Sequence, residues 1–112
     1  MKKNITDEPI ALKEFYANNN ESIKITYTNF FREIKDMYFA NKPDIKMGDG
    51  YIGTSFAEEQ GYMHNKREVI NIGRIRFFIS YEGKITREGQ EYLLDYFGEN
   101  QQRLEEKYNG RK

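Results

Sequence analysis

Apolar and polar positions alternate with period two from Arg74 to Tyr81. Ile75, Phe77, Ile79 and Tyr81 fall on one face, and Arg74, Arg76, Phe78 and Ser80 on the other. Such alternation predicts a half-buried strand. Glu82-Gly83 then predicts a turn, and Thr86 the N-cap of a helix running past Phe97. Tyr92, Leu93, Tyr96 and Phe97 would line one side of it, with Leu104 and Tyr108 extending that side and Gly98 marking a kink or break.

The first half is patterned by helices. Asp7 can cap a short helix with Glu8 and Pro9 in its first turn and Ile10, Leu12, Phe15 and Tyr16 on its apolar side. Asn18-Asn19-Asn20 is expected to end it, because asparagine competes for backbone hydrogen bonds. Ser22 to Tyr27 alternates Ile23, Ile25 and Tyr27 with Lys24 and Thr26, which predicts a short strand. Thr28 would cap the next helix, whose stripe of Phe30, Phe31, Ile34, Met37 and Tyr38 leaves Arg32, Glu33, Lys35 and Asp36 to solvent; Pro43 would close it.

Residues 41–53 read as a connecting loop. Asp44 and Asp49 lack the spacing of a calcium loop, and the glycines at 48, 50 and 53 match no phosphate-binding fingerprint. Ser55 with Glu58 forms a capping box for a short helix that Gly61 would end. Tyr62-Met63 can open a strand, His64 to Arg67 reads as a reversal, and Glu68 to Ile72 as the returning strand, with Gly73 a bulge or second turn.

Composition bounds these elements. At 112 residues the chain fits a single domain, with an ordered core over about 8–98 and frayed ends at 1–6 and 105–112. Nine tyrosines and eight phenylalanines can build a core without disulfides, and no cysteine is present. No apolar run is long enough for a membrane span, and MKKNITDEPI lacks the apolar stretch of a signal peptide, so a cytoplasmic protein is expected. The charges balance, 18 basic against 18 acidic, which argues against a strongly basic nucleic-acid binder. Only residues 62–90 carry a local excess, six basic side chains against three acidic.

Chemistry is sparse. His64 is the only histidine, which rules out multi-histidine metal sites, and Ser22, Ser55 and Ser80 sit in no nucleophile elbow. Glu58-Glu59 and Glu105-Glu106 are adjacent on helices, so their side chains diverge by about 100° and do not form an acid/base pair. The expectation is a non-enzymatic protein without cofactor or metal.

The order of elements, together with Gly61-Tyr62, Ile79-Ser80-Tyr81-Glu82-Gly83-Lys84 and Ile85-Thr86-Arg87-Glu88-Gly89-Gln90-Glu91-Tyr92-Leu93, resembles small bacterial winged-helix proteins over residues 22–97. The resemblance implies an α+β, winged-helix-like fold: three helices, a small antiparallel sheet and an added C-terminal helix. It also implies DNA binding, with the third helix in the major groove and the wing near the backbone. Thr54, Ser55 and Gln60 would then face base edges, and Lys66, Arg67, Arg74 and Arg76 would meet phosphates. Against this pattern, the third helix carries Glu58 and Glu59 and no lysine or arginine. Two functions follow. One is a DNA-binding transcriptional regulator. The other is a protein-interaction module, or a phage or mobile-element protein that modulates a host protein without touching nucleic acid. Self-association through the C-terminal helix is a further expectation.

Overall fold

Leu12–Ile23 (α1) and Tyr27–Asp36 (α2) form a helical pair in a computed structural model that describes residues 4–42, 51–71, 73–74 and 77–108. The asparagines do not end α1. Asn19 leaves helical geometry (φ −130°, ψ 18°) and kinks the helix, while its buried amide bonds the backbone of Asn4 and Phe15. The strand expected over 22–27 is absent. Ile23 closes α1, Lys24 turns the chain with φ 68°, and Ile25 is buried in the joint. Period two was therefore the signature of an interhelical turn with two buried isoleucines. Thr26, not Thr28, caps α2 by accepting from the Asn29 amide, and Ala11, with no side-chain cap, precedes α1.

Ala40–Asn41 (β1) pairs antiparallel with Ile52–Gly53 (β2), bracketing a segment that includes Asp44, Asp49, Gly48 and Gly50, which lie outside the described residues. Thr54 caps Ser55–Glu59 (α3), replacing the expected Ser55–Glu58 box, and Gly61 follows with the left-handed φ (79°) expected of a helix end.

Met63–Asn71 (β3) and Phe77–Ile85 (β4) form one long antiparallel hairpin, with Met63 opposite Ile85 and Asn71 opposite Phe77. Two expected turns are therefore strand. His64 to Arg67 continues β3, and Glu82-Gly83 lies inside β4, opposite Lys66 and Asn65. Gly83 is there for proximity: a Cβ at this position would collide with the Tyr51 carbonyl. Asn65 completes the junction. Its amide oxygen accepts from the Gly53 N–H at 2.7 Å and its NH2 donates to the Gly53 carbonyl at 2.9 Å, tying β2 to the hairpin.

Thr86 caps Arg87–Glu99 (α4), accepting from the Gly89 amide at 3.1 Å. Gly98 does not break it. The break falls at Asn100, after which Gln101–Tyr108 (α5) follows, so the single added C-terminal helix is two helices. Asp7 caps nothing; it pairs with Arg87, while Ile10 bridges to Ile85 by reciprocal backbone bonds of 3.1 and 2.7 Å. Asn4 and Thr6 are likewise held, Thr6 by Gln90, so the N-terminal strap covers the core. The architecture is α+β: among the described residues, five helices around Phe15, Phe30, Ile34, Phe39, Leu93 and Phe97, with two small antiparallel strand pairs.

Candidate functional site

The hairpin carries most of the basic residues singled out in the sequence. Its base is anchored by buried Met63 and Ile85, and paired strands of nine residues extend about 27 Å from there. Beyond the base the surface opens: Lys66, Arg67 and Arg74 are exposed, and Val69 is 52% exposed. Lys66 stands opposite Glu82, Arg67 opposite Tyr81, and Arg74 follows the end of β3. Arg76 and Ile75 lie outside the described residues. His64, also exposed, faces Lys84 across the ladder.

Thr54, Ser55 and Gln60 lie at the other end of this arm. Thr54 is committed to the backbone, accepting from the Ala57 amide at 3.2 Å and donating to the Tyr38 carbonyl at 2.6 Å. Ser55 and Gln60 are exposed on α3, which packs at the foot of the hairpin through the Tyr62 N–H to Ala57 carbonyl bond of 2.8 Å. The fold thus joins Lys66 and Arg67 along one strand but separates them from Ser55, and Arg74 most of all. α3 has five residues, and its exposed charges are Glu58 and Glu59. A helix this short and acidic is poorly suited to a phosphate-lined groove.

A second cluster was not anticipated. Glu33, expected in solvent, is only 2% exposed because α5 folds over that side of α2. Its Oε1 accepts from Lys107 Nζ and from the Tyr108 hydroxyl, each at 2.8 Å. Its Oε2 accepts from the Tyr96 hydroxyl, which in turn accepts from Arg103 Nη2 at 2.7 Å. Burial alone would push the Glu33 carboxyl up, but the bonds from Lys107, Tyr96 and Tyr108 outweigh it and hold the group below its ordinary value. Burial, reinforced by the bond to Glu33, pushes the Tyr96 and Tyr108 phenols up. The bond to Glu33 is the chief reason that Lys107 is raised. A carboxylate this fully occupied by donors is a poor proton acceptor, so the cluster is a staple between α2 and α5. Leu104, buried beside it, shows that α5 uses its apolar side within the chain. The sequence hint was position: Glu33 lies three residues after Phe30 and four before Met37, on the flank of the apolar stripe.

Among the described residues no group of three histidine, cysteine, aspartate or glutamate side chains could hold a metal ion, and no helix is long and apolar enough to cross a membrane. No protein-family model, no curated protein and no solved structure matches the chain.

Proposed function

We propose that the chain is a non-enzymatic, winged-helix-like protein that engages duplex DNA through the β3–β4 hairpin, as a small cytoplasmic regulator of transcription would. The observation that carries this reading is the long hairpin standing on a buried base with Lys66, Arg67 and Arg74 exposed along it. Arg76 adds a fourth basic side chain in sequence. The acidic α3 turns the emphasis from base edges to phosphates, so binding is expected to discriminate weakly between sequences.

Four phosphate contacts at most give a log–log dependence of affinity on salt with a slope of about −4 or shallower. Fluorescence anisotropy with a labelled duplex across a salt series tests this directly. Arg67→Ala combined with Arg74→Ala is expected to make the slope shallower by about 2. Undetectable binding at low salt, or an unchanged slope in the double variant, would contradict the proposal. The alternative is an interaction module with no nucleic-acid role, of the kind a phage or mobile element uses against a host protein. The exposed Phe56 and the carboxylates of α3 speak for it, and absence of DNA binding in the same titration would favour it.

A further inference from the structure

We infer that α3 and the outer side of α4 form a docking surface for a cationic protein segment, one presenting arginine or lysine beside apolar side chains. The surface is built on stacked rings. Tyr62 and Tyr92 lie 4.4 Å apart between centroids, buried Phe39 stacks on them at 6.2 and 6.0 Å, and Phe56 closes the group edge-on while remaining 42% exposed. An exposed ring over a rigid stack offers contact area at little conformational cost, and its π face attracts a guanidinium or ammonium group.

Charge selects the occupant. The charged residues of α3 and α4 are Glu58, Glu59, Glu88, Glu91, Asp95 and Glu99, with Arg87 the one cation, and all are exposed. Arg87 is engaged by Asp7 and by Glu91 at 3.6 Å. Helical spacing sets Glu88 and Asp95 beside Tyr92, with Glu99 a further turn along, and Glu59 one turn from Phe56. Such a field repels nucleic acid and attracts a basic chain. It is independent of the basic hairpin: the molecule is neutral as a whole, but α3 and α4 are net acidic and the hairpin is net basic.

Tyr38 adds to the same end of the molecule. It is 74% exposed, adopts a left-handed φ of 58°, and is joined to the N-cap of α3 by the Thr54 bond. Glycine would take that conformation at lower cost, so an exposed aromatic ring is held there against backbone preference.

The test is an NMR titration of the 15N-labelled full chain with a short peptide in which arginine alternates with leucine and glycine, run beside its glutamate counterpart. Amide shifts over residues 54–62 and 88–99 with the arginine peptide alone are expected. Phe56→Ala should weaken binding about tenfold, with hairpin amides unmoved as evidence of an intact fold. Glu59→Gln with Glu88→Gln should weaken it and flatten its salt dependence. No shifts, equal shifts with both peptides, shifts confined to other elements, or a mass rising with concentration as a second copy covers this face would each overturn the inference.

Discussion

Tyr38 sits where helices commonly finish on glycine. The end of α2 is a Schellman arrangement: the Phe39 N–H reaches the Ile34 carbonyl and the Tyr38 N–H the Lys35 carbonyl, both at 3.0 Å, with Ile34 and Phe39 packed beneath. Tyr38→Gly is therefore expected to stabilise the fold by about 1 kcal/mol, read as a higher urea midpoint with unchanged slope. A lower midpoint would show that the ring contributes packing its exposure conceals. Glu33 is the opposite case, a polar residue whose burial no local pattern announces because its partners come from residues 96–108. Since its carboxyl is held below the ordinary value of 4.5, the unfolded chain binds the proton first. Its stabilisation is then fully present above that value and lost as pH falls through the lower, folded one. Glu33→Ala should cost about 2 kcal/mol at neutral pH and flatten the acid limb of a stability–pH profile. An unchanged limb would mean that other carboxylates govern acid unfolding.

At the level of elements, most helices were legible from their apolar positions, while Thr86 alone of the expected N-caps stands where it was placed, and strand pairing was not legible. Thr86, the Phe30, Phe31 and Ile34 part of the α2 stripe and the glycine stop at Gly61 stand as local rules predict, because each depends on residues within one or two turns. Tyr38, expected on that stripe, instead lies beyond the end of α2 and is exposed. The Glu82-Gly83 turn and the reversal at His64 to Arg67 failed for a shared reason. Glycine beside polar residues is turn chemistry locally, but here Gly83 makes room for the Tyr51 carbonyl in a ladder that pairs it with Asn65, far back in the chain. Gly83→Ala should therefore destabilise the protein by about 1–3 kcal/mol, from overpacking at a junction of two strand pairs. Asn65→Ala, which removes both bonds to Gly53, should cost about 1–2 kcal/mol and free β2 while leaving the hairpin paired. Hydrogen exchange at the Gly53 amide checks the second point. Protection unchanged from the wild type would show that β1 alone holds β2.

For the whole molecule, what matters is how charge is distributed rather than how much there is. A neutral total hides a basic hairpin and an acidic pair of helices, and the sequence revealed only the first, as the excess over residues 62–90. The acidic face was not legible because α3 ends at Glu59 and α4 begins only at Arg87, and the fold brings them together through the ring stack of Phe56, Tyr62 and Tyr92. This segregation fits a protein that holds DNA by one arm and keeps the base of that arm for another partner. The most direct measurement of the central claim is an NMR titration of the 15N-labelled chain with a short duplex at low salt. Shifts at the amides of 64–74 that fade as salt rises, with residues 55–60 unmoved, are the result expected. Shifts centred on α3, or none along the hairpin, would contradict the account.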